Sequence, residues 1–214
     1  MDELRHQTAL AAALAGETAR ERGHVFATAE SCTGGLVAAS LTDVAGSSAW
    51  FDRGFVTYAT VSKTELLDVD PDEIEREGVV SEAVARAMAR GALAKSRATL
   101  SVALTGVAGP TGGTPETPVG TVWIGWGEKT PEGEIVTAAR RILVTGSRDA
   151  VRWGAARTAL QGLIAMMGGV NPATMPCEFD YIRPYASPPR VGDALTRLRE
   201  DLCRVGSTSS SFFC

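Results

Sequence analysis

The sequence predicts an α/β fold, a three-layer α/β/α sandwich on a mixed β-sheet. Three observations carry this. Through the first half of the chain, segments with helical spacing alternate with short apolar, strand-like segments, as βαβ crossovers require. Three strand-like segments then follow one another with only loops between them, which suits antiparallel neighbours. An alanine-rich helical segment opens the pattern and another closes it.

Leu4 to Arg22 places Leu10 and Leu14 one turn apart on an alanine-rich stretch, and Gly23 stops the helix. His24 to Ala29 (HVFATA) is a short buried strand. Glu30-Ser31-Cys32-Thr33-Gly34-Gly35 follows as a tight turn, and LVAASLTDV as a helix. After a second turn at GSSAW, Phe51 to Thr60 alternates Phe55, Thr57 and Ala59 against Val56 and Tyr58, the period of a strand. Ser62-Lys63-Thr64-Glu65 has the S-x-x-E form of a capping box and puts Lys63 in the first turn of a short helix. Val79 to Ala98 is a longer helix capped by Ser81, with Val84, Met88 and Ala92 on one face. A strand at TLSVALT, a Gly/Pro loop from Gly106 to Pro118, and strands at VGTVWIGW and EIVTAARRILV come next. The last helix runs from Ser147 to Met167, with Val151, Ala155, Ala159 and Leu163 at spacing four. The expected order is α-β-α-β-α-α-β-β-β-α. Residues 1–168 form one domain, and residues 169–214, with five prolines and the serine-rich end STSSSFFC, read as a loosely packed or disordered tail.

Composition narrows the chemistry. The chain has 214 residues, 44% of them hydrophobic and 21% charged, and a net charge of -4. A chain of this size buries about 70% of its unfolded surface, so no disulfide or metal staple is required. Net acidity removes the electrostatic footprint of a nucleic-acid partner. No run reaches the ~18 apolar residues of a membrane span, and MDELRHQTAL lacks a basic-then-apolar leader, so the expectation is a cytoplasmic protein with no membrane partner. The only histidines are His6 and His24. Cys32 stands alone, while Cys177, Cys203 and Cys214 fall near the end. None of these spacings suits zinc, and we expect no metal and no cofactor.

Four constellations could carry chemistry. Ser31 stands where a strand gives way to a helix, a place where unpaired N–H groups and the helix dipole favour an anion or an oxyanion. It could be a nucleophile, with Gly34 and Gly35 allowing close approach of a ligand, or Ser31 or Thr33 could simply cap the helix. With histidine effectively absent, the remaining common base is a lysine, and the chain has three: Lys63, Lys95 and Lys129. Lys63 lies near the positive end of a helix dipole, and burial there would leave a neutral amine near pH 7; the other reading is a solvated surface charge. Tyr58, five residues upstream, can point at the same pocket or be an ordinary strand tyrosine. The glycine-dense loop Thr105-Gly106-Val107-Ala108-Gly109-Pro110-Thr111-Gly112-Gly113 suits a phosphate or sugar, or is simply a structured surface loop between strands; it is neither a P-loop nor a dinucleotide fingerprint. Arg148, at the start of the last helix with Arg152 one turn on, can clamp a phosphate or carboxylate, or belong to an exposed charged face.

Taken together, AESCTGGLVAASLTDVAGSSAWFDRGFVTYAT, the following Lys63, TGVAGPTGGTPETPVGTV and GSRDAVRWGAARTAL closely resemble the nicotinamide-nucleotide amidases, the CinA C-terminal domain family, in a stand-alone form. The resemblance implies deamidation of nicotinamide mononucleotide to nicotinate mononucleotide and ammonia, a salvage step for pyridine nucleotides that uses no metal. It also implies a small-molecule nucleotide as substrate and a homo-oligomer. Catalytic roles then fall on Ser31 as nucleophile, Lys63 as base and Tyr58 beside them. Substrate contacts fall on Thr33, Gly34, Gly35, Thr105, Gly106, Gly109 and Arg148. The chain departs from the family pattern at Thr60, where an asparagine is common, at Ser147, where an aspartate is, and at Thr111, often acidic. The alternative is a non-catalytic module that binds a nucleotide or a protein partner in a competence or damage response.

Overall fold

The computed structural model describes residues 1–175, and the rest of the expected tail lies outside the described residues. Helix α1 (Asp2–Arg22) leads into strand β1 (Phe26–Glu30), helix α2 (Leu36–Thr42), a single 3-10 turn (Ser47–Ala49) and strand β2 (Phe51–Val56). Helices α3 (Thr60–Leu67), α4 (Pro71–Glu77) and α5 (Glu82–Ala94) follow, then strands β3 (Leu100–Gly106), β4 (Thr121–Lys129) and β5 (Ile135–Leu143), and helix α6 (Arg148–Met167). The expected order holds with one addition, α4. Its signal is local: Asp70 caps the helix by accepting from the Asp72 amide at 2.9 Å, and Pro71 occupies the first turn, where its missing N–H is harmless.

The five strands lie in the order β2-β1-β3-β4-β5. β1 runs parallel to both β2 and β3, while β4 is antiparallel to β3 and to β5. The sheet is therefore mixed. Alternation along the strands sends Phe26, Leu100, Val102, Leu104, Ile124 and Trp126 to one face, against α1, α2 and α6. Ala27, Ala29 and Ala103 point to the other, against α3, α4 and α5, where Leu67, Val84 and Met88 are buried. This completes the three layers. The second face is lined by alanine, so α5 approaches the sheet closely; burying Val84 or Met88 contributes about 1.5–3 kcal/mol each.

Strand β2 stops at Val56, four residues before the expected end, and α3 starts at Thr60. The proposed capping box does not form: Ala59 is the cap, and the Ser62 hydroxyl donates to the Ala59 carbonyl at 2.7 Å instead. Lys63 nevertheless stays at the start of α3. Helix α5 is shorter than expected, but Ser81 caps it, accepting from the Val84 amide at 3.3 Å. Past α6 the chain continues along the domain, with Met175 buried and its carbonyl accepting from Arg140.

The parallel strands β1, β2 and β3 all end at one edge of the sheet, and β5, antiparallel to β4, ends there too. Everything that follows these strands converges on that edge, the usual place for a ligand in an α/β sheet.

Helix α6 is seated by Trp126, whose fully buried indole donates to the Ala159 carbonyl at 3.0 Å. Gly162 makes room, since a Cβ there would lie 2.2 Å from the indole. Gly162→Ala should therefore destabilise the fold by about 1–3 kcal/mol through overpacking, even though alanine is the better helix former by about 1 kcal/mol. A urea titration reads this directly; an unchanged midpoint would mean that α6 can lift off Trp126 freely.

Candidate active site

Ser31 is the first residue beyond β1. Its N–H donates to the Leu104 carbonyl at 3.0 Å, and its own carbonyl accepts from Gly34 at 3.0 Å. The turn closes through Gly34 and Gly35, whose φ values of 62° and 91° lie in the left-handed region. That conformation, more than access for a ligand, is what requires the two glycines. Gly35 caps α2 with no side-chain bond. The cap comes from behind: the fully buried Glu30 carboxylate accepts from the Val37 and Ala38 amides at 3.0 and 2.8 Å. The first-turn amides of α2 that were expected to face an oxyanion are therefore occupied. Neither Ser31 nor Thr33 caps the helix. Thr33 is buried, and its carbonyl accepts from Arg152 at 2.8 Å.

Lys63 comes across from α3 and is 0% exposed. Its Nζ lies 3.2 Å from Ser31 Oγ and donates to the Thr57 carbonyl at 2.6 Å. Burial pushes the amine below the ordinary lysine range, while the neighbouring Cys32 works in the opposite direction. A deprotonated Nζ with one N–H held by Thr57 can turn its lone pair to the Ser31 hydroxyl. Cys32 is a poor competitor as nucleophile. It packs into the core, and burial, with a smaller push from Glu30, moves its thiol up to about 12.

In front of Ser31 opens a cleft of about 200 Å³ lined by Ser31, Cys32, Tyr58, Thr60, Val79, Val80, Thr105, Gly106, Ala108 and Arg148. Arg148 spans its mouth, donating to the Gly109 carbonyl at 2.7 Å and to the Tyr58 hydroxyl at 3.0 Å. Tyr58 is thus joined to Arg148; among the described residues no bond joins its hydroxyl to Lys63 or Ser31. The Thr105 hydroxyl donates to the Val79 carbonyl at 2.6 Å and fastens the cleft wall. Of the residues expected at the site, Ser31, Tyr58, Thr105, Gly106 and Arg148 meet at the cleft, with Lys63 directly behind Ser31. Thr33, Gly34, Gly35 and Gly109 are not in its lining and act as its supports. Sequence reasoning missed Glu30, the Thr57 carbonyl and the apolar wall that Val79 and Val80 form with Ala108 of the glycine-dense loop. Glu30 left one signal, an acidic residue at the end of an otherwise uncharged strand.

The CinA C-terminal domain family matches residues 8–167 of the chain. The chain belongs to that family. Among CinA-family relatives, the nicotinamide-nucleotide amidohydrolase PncC of Escherichia coli K12 is 49% identical over 148 residues, covering 69% of this chain and 87% of that protein. A CinA-like protein of Chlorobaculum tepidum is 50% identical over 147 residues, 69% of this chain; the chain spans only 35% of that longer relative. The crystal structure of the competence/damage inducible protein CihA from Agrobacterium tumefaciens superposes with a TM-score of 0.69 at 41% identity, over 75% of this chain and 95% of that one. A CinA superfamily protein from Klebsiella pneumoniae gives 0.70 at 35% identity, over 76% and 98%.

The buried thiol gives a direct test of this geometry. Iodoacetamide at pH 8 should leave Cys32 unmodified in the folded protein and modify it after denaturation, read by peptide mass mapping. Prompt labelling of the native protein would place the thiol nearer to solvent than this packing allows.

Proposed function

We propose that the chain is an amidohydrolase that deamidates nicotinamide mononucleotide through a Ser31–Lys63 dyad, returning a pyridine nucleotide to use. The observation that carries this reading is the 3.2 Å approach of a buried lysine amine to the Ser31 hydroxyl, beside a cleft that Ser31 lines. Neutral Lys63 takes the hydroxyl proton as Ser31 Oγ attacks the carboxamide carbon. The oxyanion falls to the backbone N–H of Cys32, a residue that lines the cleft and whose amide donates no backbone hydrogen bond among the described residues; one such donor is worth about 3 kcal/mol. Protonated Lys63 returns the proton to the departing nitrogen, and ammonia leaves. Water, deprotonated by the same amine, then cleaves the ester, and the Ser31 oxygen recovers its proton as nicotinate mononucleotide is released. The scheme uses no cofactor. Val79, Val80 and Ala108 offer an apolar wall to the ring, and Arg148, at the rim, is placed for the phosphate.

The test is ammonia release from nicotinamide mononucleotide by pure protein. Ser31→Ala should fall to background, and Lys63→Met should lose about 10²–10⁴-fold as its base assistance disappears. Full activity in either variant would sink the dyad. Binding seen by thermal shift, with no ammonia from the wild type, would favour a non-catalytic module.

The pH dependence has a defined sign. Lys63 works as the neutral amine, so activity should rise with pH along a limb centred below the ordinary lysine range and fall as the amine protonates. Stability should rise in the same direction through that window, because the unfolded chain then holds the extra proton. A rate profile that is flat from pH 5 to 10 would contradict the assignment.

A further inference from the structure

We propose that Glu30 is a positioning residue for the nucleophile: its buried carboxylate ties the start of α2 back to the end of β1 and so holds Ser31 Oγ against Lys63 Nζ. This rests on the amidase reading of the site. The five residues from Ser31 to Gly35 include two glycines in the left-handed region, a turn with little stiffness of its own. Helix α2 has only seven residues and no side chain at its cap, and so short a helix does not hold itself. The Glu30 side chain supplies what both lack. It reaches over the turn to two successive amides, Val37 and Ala38, at 3.0 and 2.8 Å. Bonds from a carboxylate are short and directional, and a fully buried one is costly to leave unpaired, so the turn has a single favoured closure. The backbone of Glu30 completes the arrangement, since its carbonyl accepts from Thr57 at 2.8 Å, and Thr57 is the residue that grips Lys63. One residue thus references both members of the dyad: the nucleophile through its side chain, the base through its main chain.

Glu30→Gln preserves shape but leaves one acceptor, its NH₂ group turned toward an amide that also donates. Glu30→Asp keeps the charge but is one carbon too short to span both amides. Each variant is assayed for kcat and KM in ammonia release, with the folded fraction measured by circular dichroism and Ser31 labelling by a fluorophosphonate followed by intact mass. The expected result is a kcat about tenfold to a hundredfold lower in folded enzyme, as for a reacting group misplaced by about an ångström, with KM within about twofold and slower Ser31 labelling. Asp should not rescue Gln. A purely structural Glu30 would lower the melting temperature and leave kcat per folded molecule at the wild-type value, which overturns the proposal; so does failure of both variants to fold, which would make Glu30 a determinant of the whole fold. An inactive wild type would instead sink the amidase reading.

Discussion

The site depends on keeping one amine dry. Lys63 is fully buried, and none of the ion pairs among the described residues includes it. A charged ammonium in that position would be poorly compensated, having only the Thr57 carbonyl and the Ser31 hydroxyl beside it. Desolvation therefore favours the neutral form, and the neutral form is the one that can accept a proton. Arginine could not replace it, because a guanidinium does not give up its proton in a protein. In a chain whose basic residues are nearly all arginine, one of the three lysines stands where burial favours a neutral amine.

Around that amine the fold repeats one device, the end of a parallel strand. β1 delivers Glu30 and Ser31, β2 delivers Thr57 and Tyr58, and β3 delivers Thr105 and Gly106, all at the same edge. The helices differ in what they receive from it. The Val37 and Ala38 amides of α2 are taken by Glu30, and only Ser31 and Cys32 of the turn before them line the cleft. Helix α6 instead projects Arg148 forward, where it bridges Gly109 and Tyr58 across the opening. Electropositive groups at the site are thus divided between helix amides already taken behind Ser31 and the Arg148 guanidinium at the cleft.

How much of this was legible in the sequence follows from the range of each interaction. Local features were readable: Gly23 in the left-handed conformation at the end of α1, Ser81 capping α5, and the turn at Gly34 and Gly35. Ser31 and Lys63 stood out because serine at a strand-to-helix turn and a rare lysine are chemically conspicuous. Features set by pairing across the sheet were not readable. The end of β2 and the start of α3 are decided by the sheet edge, so a chance S-x-x-E pattern was mistaken for a cap. The carbonyl of Thr57 carries no side-chain signature at all. Val79 and Val80 read from the sequence as the first residues of the long helix, whereas α5 starts at Glu82 and Thr105, 26 residues away, bonds to the Val79 carbonyl at the cleft wall.

The departures from the family pattern acquire different weights in this geometry. At Ser147 the common aspartate is missing, yet the Ser147 hydroxyl accepts from the Ala150 amide at 3.2 Å. Serine and aspartate are near-equal caps, so α6 starts where it should and Arg148 keeps its place over the cleft. Thr60 is another matter. It is the first residue of α3 and lines the cleft directly, so exchanging an asparagine for it shortens the side chain and replaces an amide by a hydroxyl on the cleft wall. The Ser31–Lys63 contact rests on Glu30, Thr57 and burial, the placing of Arg148 on the cap of α6, and neither passes through position 60. A change at Thr60 therefore alters the cleft wall while the Ser31–Lys63 contact stays as it is.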